Sequence, residues 1–238
     1  MPDTMYARRV SEADVAALKR DYFDRYWISR EYQRTDRRTM ERAHLVWSHL
    51  ARRRGRALDT GCGRGLFASY LSDSGLTVDA TDISPQAVEF TAQRGVNAWI
   101  LDLERETPEG QWDLVFCLEV LQQVRDPEDV LLRLRGVLAP DGELVLSLPN
   151  EFHLPRRLSI LFGRADLGTP ADSHLKFFTP ARAQALARAC GFEVRETVYT
   201  SIVPPRLGPL SALGRAAAGV WPAGVSLSTI LFLRKATT

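Results

Sequence analysis

Three glycines at alternate positions mark the segment whose spacing says most about chemistry. Residues 57–65 read A-L-D-T-G-C-G-R-G, with Gly61, Gly63 and Gly65 as the alternate residues. A short apolar run typical of a buried strand leads into them, and residues 66–71 behind them carry apolar side chains at helical spacing. Glycine lets the backbone turn sharply against a ligand, and a helix start offers N–H groups without partners. The pattern predicts a strand, a turn and a helix that bind a small ligand.

The spacing differs from that of the dinucleotide-binding fingerprint, G-x-G-x-x-G, because the third glycine comes one residue early. Asp59 also stands two residues before Gly61, where its charge would repel a phosphate. This carboxylate is better suited to orienting backbone amides or to meeting an ammonium group through water. A cationic nucleoside without phosphates therefore fits the turn better than a dinucleotide.

The D-x-G-x-G-x-G run resembles the first motif of the class I S-adenosylmethionine-dependent methyltransferases, and with later motifs the resemblance extends over residues 55–200. Within this superfamily, the motifs of the chain most resemble those of ubiquinone-type and other small-molecule O- or N-methyltransferases. The resemblance implies S-adenosylmethionine as cofactor, with S-adenosylhomocysteine as its product. It implies a Rossmann-like α/β fold, a doubly wound, mainly parallel seven-stranded sheet in the order 3-2-1-4-5-7-6. It also implies that Asp59, Gly61, Cys62 and Gly63 bind the cofactor.

Asp82 ends a β-rich run, residues 76–82, and Ser84 after it is a candidate helix cap. A carboxylate at a strand end can accept both hydroxyl groups of a ribose. The resemblance gives Asp82 this role and makes Ile83 an apolar wall for adenine. One alternative is a helix-capping aspartate without a ligand. The other is Asp79 as the ribose ligand, although Asp79 falls within the strand.

The next two strands supply further expected cofactor contacts. Residues 98–101 form a short strand followed by Asp102 and Leu103, where the family meets the adenine edge with an acidic side chain and a backbone amide. Residues 112–118 are a continuous apolar run typical of a strand covered on both faces. The resemblance places Leu118, at the end of this strand, beside the cofactor.

Gln122 and Gln123 stand where ubiquinone-type enzymes commonly carry Glu-His. Glutamine forms hydrogen bonds, but it cannot take a proton as histidine can. We therefore expect no metal ion and no general base at this position. Gln122 is a candidate for contact with the acceptor substrate, and the alternative is a solvated first helical turn.

Residues 149–178, between the fifth strand and the next helix, form a loop-rich insertion of the kind from which family members build acceptor pockets. His153 follows the fifth strand, and His174 precedes an aromatic pair. Either histidine could take a proton from an acceptor hydroxyl near neutral pH, or be merely structural or solvated. Arg156 and Phe177 are candidates for acceptor binding. Substrate choice and any proton transfer are predicted to reside in this insertion.

The N-terminal segment is predicted to form a helical lid. A capped helix, residues 11–20, leads into a dense run of aromatic residues and then into a basic amphipathic helix, residues 35–52. Tyr26 and Trp27 are candidates for acceptor contact, and Arg38 is a candidate for contact with the cofactor carboxylate. The alternative is that the aromatic side chains only pack the helices onto the sheet.

The length of 238 residues fits a single α/β domain. We expect one methyltransferase domain with four parts. In chain order these are the helical lid, the cofactor-binding core, the acceptor-site insertion, and a C-terminal helix with strands six and seven, at residues 1–54, 55–148, 149–178 and 179–238.

Composition restricts the partners and the compartment. With 31 basic and 29 acidic residues the net charge is +2, which argues against nucleic acid, and the basic run 52–56 is more typical of a solvated surface. Three cysteines lack metal-ligand spacing and are expected to be reduced thiols in a cytoplasmic protein without a signal peptide. The apolar residues 207–233 are interrupted by prolines and an arginine, so we expect no membrane-spanning segment there. The alternative is a peripheral membrane contact through residues 207–225.

These features favour methyl transfer to an O or N atom of a small-molecule metabolite, in a biosynthetic role. Because a sulfonium is a good leaving group, the protein would contribute mainly alignment and desolvation. An RNA or protein methyltransferase is one alternative, and a cofactor-binding protein without transfer chemistry is another. The acceptor and the oligomeric state stay open.

Overall fold

The computed structural model describes residues 11–28, 36–163, 174–203 and 208–236, without the side chains of residues 12, 36 and 37. In chain order the elements are α1 (Glu12–Ile28), α2 (Asp36–His49), β1 (Arg56–Thr60), α3 (Leu66–Asp73), β2 (Thr77–Asp82), α4 (Pro85–Ala92), β3 (Asn97–Ile100), β4 (Trp112–Leu118), a 3₁₀ helix (Leu121–Gln123), α5 (Pro127–Val137), β5 (Leu138–Pro149), α6 (Leu154–Leu161), α7 (Pro180–Ala189), β6 (Phe192–Ser201), α8 (Pro209–Val220), α9 (Pro222–Val225) and β7 (Ser226–Lys235).

The strands form one seven-stranded sheet in the order β3-β2-β1-β4-β5-β7-β6. Strands β1 to β5 all run parallel to one another, and β7 runs antiparallel to its neighbours β5 and β6. The C-terminal ends of β1 to β5 therefore meet along one side of the sheet, which we call the carboxyl edge. The α/β fold and the strand order predicted from the resemblance are confirmed.

Both faces of the sheet are covered, and β4 shows this most clearly. Its Leu114 and Phe116 side chains belong to the apolar cluster formed with α2 and α3. The intervening Val115 and Cys117 belong to the cluster formed with α5 and α7. Because successive side chains of a strand point to opposite faces, a strand between two apolar layers must be apolar throughout.

Helix α4 begins at the cap predicted from the sequence, and α5 begins at a similar one. The Ser84 hydroxyl accepts from the Ala87 N–H at 3.1 Å, and the Asp126 carboxylate accepts from the Asp129 N–H at 3.0 Å. Each cap is followed by a proline in the first helical turn, which fixes where the chain leaves the strand end.

The boundaries of the N-terminal helices differ from those predicted. The first helix does not end at residue 20, since α1 continues to Ile28 and its last turns carry the aromatic residues expected to follow it. The second helix ends at His49, before residue 52. None of the described helices is long and apolar enough to span a membrane.

Residues 139–142 read A-P-D-G, a composition typical of a turn, but they do not form a separate turn before β5. β5 begins at Leu138, which pairs with Trp112, whereas the next paired residues are Glu143 and Leu114. The extra residues are taken up as an irregularity inside the strand, because the ladder continues on both sides of them.

Asp79 lies within β2 and ties four strands together. Its carboxylate accepts from the Arg56 guanidinium at 2.7 Å, the Asn97 amide at 2.8 Å and the Trp112 indole N–H at 2.8 Å. Burial opposes ionisation of Asp79, but these hydrogen bonds and the Arg56 charge outweigh it and lower the pKa. The acceptor atoms of Asp79 are thus used in the sheet, which argues against the alternative that it binds a ribose.

Replacing Asp79 by Ala should lower the free energy of unfolding by about 1–3 kcal/mol near neutral pH, because the buried Trp112 N–H loses its acceptor. A depressed carboxyl pKa stabilises the fold above the unfolded value and ceases to do so as pH falls through the folded value. The difference between Asp79→Ala and the wild type should therefore shrink in acid. Urea denaturation as a function of pH measures it, with exposed Asp141→Ala as the control. A pH-independent difference would contradict the argument.

Candidate active site

The glycine turn is held against the end of β2 by main-chain hydrogen bonds. The N–H groups of Gly61 and Cys62 donate to the Thr81 carbonyl at 2.7 and 3.0 Å, and the Gly65 N–H donates to the Cys62 carbonyl at 3.0 Å. Gly61, Gly63 and Gly65 all have positive φ, at 71°, 54° and 72°. The strand, turn and helix predicted around these glycines are confirmed.

Neighbouring side chains leave no space for a Cβ atom in this turn. A Cβ at Gly61 would lie 2.4 Å from Val120 Cγ2, and one at Gly63 would lie 2.5 Å from the Trp27 ring. The glycines thus permit both the backbone conformation and close packing against the end of β4 and against α1.

Asp82 is buried at the end of β2 and bonds to the turn. One carboxylate oxygen accepts from the Gly63 N–H and the other from the Ser84 N–H, both at 2.9 Å. Burial raises the pKa of Asp82 to about 6, although these N–H groups favour its charged form. Ser84, and not Asp82, caps α4, so the side chain of Asp82 is not a simple helix cap. Ile83, between them, is partly buried.

Asp59 is a second buried carboxyl group beneath the turn. Burial, with the nearby Asp82 charge as a lesser cause, raises its pKa to about 8. Its Oδ2 atom is buried and has no hydrogen-bond partner among the described residues. Two buried carboxyl groups and one unused acceptor favour a ligand that brings positive charge and donors, and disfavour a phosphate.

Helix α1 covers the carboxyl edge above β1, β2 and β3. The Trp27 ring lies against Gly63. One turn earlier, Asp24 accepts from the Ser84 hydroxyl and from the Gln86 N–H, the latter at 3.2 Å. Lys19, further back, forms an ion pair with Glu104. The predicted helical cover is present, and it places Trp27 beside the glycine turn.

Of the other residues expected in the lid, Tyr26 and Arg38 differ in placement. The Tyr26 ring packs edge-on against Trp27, with 5.0 Å between ring centroids. Arg38 is exposed on α2. Arg42, one turn further along α2, reaches the carboxyl edge, and its guanidinium lies 3.5 Å from Glu119. Helical spacing makes the two positions indistinguishable in the sequence.

The residues after β3 form the outer end of the site. Asp102 and Leu103 are buried, and an Asp102 carboxylate oxygen accepts from the Glu104 N–H at 3.1 Å. A cavity of about 210 Å³ lies between this loop and α1, lined among others by Lys19 and Arg125. The expected adenine end of the site is therefore concave and lies beneath the cover of α1.

Glu119, directly after β4, is a site residue that the sequence prediction missed. Its backbone has φ of 58°, which is unusual for a residue with a side chain. One carboxylate oxygen accepts from the hydroxyls of Ser147 and Ser228 at 3.0 and 2.8 Å. Leu118, just before it, is partly buried. The position of Glu119 at a strand end was the one signal available in the sequence.

Gln122 is buried, which contradicts the alternative of a solvated helical turn. The side-chain amide of Gln122 donates to the Glu119 main-chain carbonyl at 2.8 Å. The main-chain carbonyl of Gln122 accepts from the N–H groups of Leu175 and Lys176 at 2.7 and 3.0 Å. The side-chain Oε1 atom is buried without a hydrogen-bond partner in the described structure. Gln122 thus fastens the end of the insertion to the end of β4.

The candidate residues of the insertion gather around a buried acid, Glu151. Its two oxygens contact His174 Nδ1 at 2.8 Å and the Arg156 guanidinium at 2.5 Å. His153 caps α6, with its Nδ1 accepting from the Arg156 N–H at 3.3 Å. Burial lowers the pKa of His153. Phe177 is exposed, and residues 164–173 of the insertion lie outside the described structure.

The three cysteines are buried and free. Burial raises the pKa of the Cys62 thiol, which lies 3.3 Å from the Thr91 hydroxyl, and raises that of Cys117 to about 12. These thiols therefore stay protonated, and Cys62 contributes its main-chain N–H to the turn.

A glycine-containing turn after β1 and acidic groups at the next strand ends, on this sheet order, define a nucleoside-binding α/β enzyme architecture. Residues 32–197 match the family described as a methyltransferase domain. The chain belongs to this family. It is a class I methyltransferase with S-adenosylmethionine as its cofactor, as the sequence resemblance predicts.

Individual proteins are similar to this chain in sequence or in fold. The ubiquinone biosynthesis O-methyltransferase of Xanthomonas euvesicatoria is 29% identical over 167 residues, covering 65% of this chain and 70% of that enzyme. The Burkholderia thailandensis 1,6-didemethyltoxoflavin-N1-methyltransferase superposes with a TM-score of 0.65 at 20% identity, over 95% of this chain and 91% of that one. The magnesium protoporphyrin IX methyltransferase of Synechocystis superposes with a TM-score of 0.62 at 19% identity, over 92% and 99%.

Replacing Gly61 by Ala should weaken binding of S-adenosylhomocysteine at least about tenfold, because the added Cβ displaces Val120 and moves the turn. Gly95→Ala is the matched control. Gly95 has φ of 81° and no atom within 4 Å of an added Cβ. It should cost only the backbone strain of about 1–2 kcal/mol. Calorimetry measures affinity and thermal unfolding measures stability. Equal affinities of the two variants would show that the space around Gly61 is unimportant.

Replacing Asp82 by Ala should weaken binding of S-adenosylhomocysteine, since each charge-assisted hydrogen bond lost costs about 1.5–3 kcal/mol. Because burial raises the Asp82 pKa to about 6, wild-type affinity should fall as pH drops through that value and the carboxylate becomes protonated. The variant should lack this pH dependence. Calorimetry across this pH range tests both points, with exposed Asp73→Ala as the control. Unchanged affinity in folded Asp82→Ala would remove Asp82 from the site.

Proposed function

We propose that this enzyme methylates an O or N atom of a small-molecule metabolite in the cytoplasm, in a biosynthetic role. The observation that carries the proposal is the cover of the carboxyl edge: Trp27 lies on the glycine turn, and Arg42 reaches Glu119. An edge closed by the protein's own helices suits an acceptor small enough to be enclosed with the cofactor. The curated ubiquinone O-methyltransferase relative supports an oxygen acceptor.

We assign cofactor binding to residues of the covered half of the carboxyl edge. The turn offers main-chain N–H groups, and Asp59 offers its unused oxygen to an ammonium group. Asp82 would accept the ribose hydroxyls, with Ile83, Asp102, Leu103 and Leu118 around the adenine and its ribose. Bound S-adenosylmethionine supplies a methyl group on a sulfonium sulfur, which keeps the electron pair of the broken bond.

The protein's own contribution is then alignment and the exclusion of water. Helix α1 excludes water from the glycine turn, while Glu119 and Gln122 present fixed polar groups at the end of β4. Alignment of the reacting atoms and removal of solvent are the contributions that a displacement at a good leaving group requires. We assign acceptor binding to Tyr26, Gln122, Arg156 and Phe177, with His153 and His174 as the candidate bases.

The division of the chain into lid, core, insertion and C-terminal part, in a single domain, is part of the proposal. The four parts share one sheet or pack against it. The described part of residues 207–225 contains α8 and α9. Leu213 of α8 and Trp221, between the two helices, are exposed, so a peripheral membrane contact there stays an alternative.

The basic run 52–56 does not favour an RNA or protein substrate. Arg52 pairs with Asp113, Arg53 donates to main-chain carbonyls, and Arg56 pairs with Asp79. Arg52 and Arg53 precede β1 and Arg56 is its first residue, so all three lie at the side of the sheet opposite the carboxyl edge. A basic surface remote from the transferred methyl group gives no reason to expect a polymeric acceptor.

Incubation with tritium-labelled S-adenosylmethionine should label small phenols, catechols or amines, and should leave transfer RNA and histones unlabelled. Asp82→Ala, which loses a cofactor contact, should abolish labelling and so serves as the matched control. A chelator should have little effect, because the described residues contain no cluster of three or more side chains suited to hold a metal. Labelling of polymers alone would favour the alternative. Cofactor binding without any labelling would favour a protein without transfer chemistry.

A further inference from the structure

The side chain of Glu151 is buried at the carboxyl edge and surrounded by cationic or titratable groups. It contacts His174 and Arg156 directly, and His153 at the start of α6 adds to the positive potential. Burial opposes ionisation of Glu151, but the His174 hydrogen bond and the Arg156 charge outweigh it and lower its pKa. A buried carboxylate between an arginine and a histidine is an arrangement that fixes the histidine ring.

Glu151 and His174 are each positioned by hydrogen bonds of neighbouring residues at strand ends. Asn150, which precedes Glu151, donates its main-chain N–H to the Leu227 carbonyl at 2.8 Å and its side-chain amide to the Ser226 carbonyl at 3.0 Å. The residues after His174 donate to the Gln122 carbonyl. Glu151 is thus fixed by β5 and β7, and His174 by the end of β4. Glu151 and His174 therefore lie at the carboxyl edge, near the ends of β4 and β5, where we place the acceptor.

The hydrogen bond decides which nitrogen of His174 can act as a base. An ionised carboxylate only accepts, so Nδ1 of a neutral His174 carries the proton and Nε2 carries the lone pair. Nε2 has no partner among the described residues. His153 has the opposite arrangement, since its Nδ1 accepts from the Arg156 N–H and its proton then resides on Nε2. The two candidate histidines therefore differ in the form they present.

We propose that Glu151 is a positioning residue that holds His174 in the Nδ1–H form, and that His174 Nε2 takes the proton of an acceptor hydroxyl. This rests on the proposed function. The O–H bond breaks, its electron pair stays on the oxygen that forms the new bond to the methyl carbon, and the proton goes to Nε2. Release of that proton to water restores neutral His174. The buried Oε1 of Gln122, which has no hydrogen-bond partner among the described residues, offers an acceptor for a second donor of the substrate.

A first experiment needs no acceptor. Nitrogen-15 NMR of the full-length protein, assigned with His174→Asn, should show neutral His174 protonated on Nδ1. Glu151→Ala should move the ring toward the Nε2–H form, and Glu151→Asp should restore part of the original signal. The matched control is Glu196→Gln, which removes the carboxylate charge 2.7 Å from His49 Nδ1, at the opposite side of the sheet, and should leave the His174 signal unchanged. Nε2–H in the wild type, or no change in folded Glu151→Ala, would overturn the positioning role.

A second experiment uses phenols of graded acidity, from 4-nitrophenol to phenol, as acceptors. His174→Ala should lower kcat about 10²–10⁴-fold for the least acidic phenol and less for the most acidic one, with cofactor affinity unchanged. Glu151→Ala should lower kcat about 10–100-fold with little change in acceptor KM. The pH profile of kcat should lose its ascending limb in both variants. Glu196→Gln should behave as the wild type.

The outcomes separate this inference from the proposed function. Equal losses for all phenols, or wild-type rates in His174→Ala, would overturn the proton transfer while leaving the methyltransferase activity standing. A large loss in His153→Ala alone would overturn it too, by assigning the base to His153. If the wild type methylates amines but no phenol, the oxygen acceptor and the proton transfer both fail, and the NMR result alone decides the positioning role.

Discussion

A buried carboxylate, Asp82, fixes the part of the molecule on which the site depends. Its oxygens accept from the N–H groups of Gly63 and Ser84, so one side chain joins the glycine turn, the end of β2 and the start of α4. Helix α1 is then aligned on the same point, because Asp24 accepts from the Ser84 hydroxyl. The glycine turn, the sheet and α1 are therefore connected through Asp82 and Ser84.

This arrangement has an electrostatic cost that the function explains. Asp59 and Asp82 are both buried, and their charges oppose each other. Because the pKa of Asp59 is raised to about 8, the folded chain binds a proton that the unfolded chain has released, and stability falls as pH rises between the ordinary value and about 8. A cationic ligand with N–H donors would offset this cost, and S-adenosylmethionine is a ligand of this kind.

The part of the carboxyl edge to which we assign the cofactor differs from the part to which we assign the acceptor. The first part is covered by α1, with Trp27 against the glycine turn. The second part consists of strand ends and the insertion, and Glu119 there has a left-handed backbone conformation that costs about 1–3 kcal/mol. The Ser147 and Ser228 hydroxyls hold its carboxylate in place. Polar side chains fixed by neighbouring strands suit the recognition of an acceptor, since they need no rearrangement during reaction.

The strands, the glycine turn and the acidic residue at the end of β2 could be predicted from local spacing alone, that is, from alternate glycines, continuous apolar runs and caps followed by proline. The order of the strands came from the family resemblance. Which distant side chains meet depends on the tertiary structure. Arg42, and not Arg38, approaches Glu119, because residues four apart share one face of a helix and spacing alone does not tell which turn reaches the carboxyl edge. Glu151 became a candidate only when β5 and the insertion brought it to His174, across 23 residues of sequence. Contacts of this kind depend on packing between elements, which no local pattern encodes.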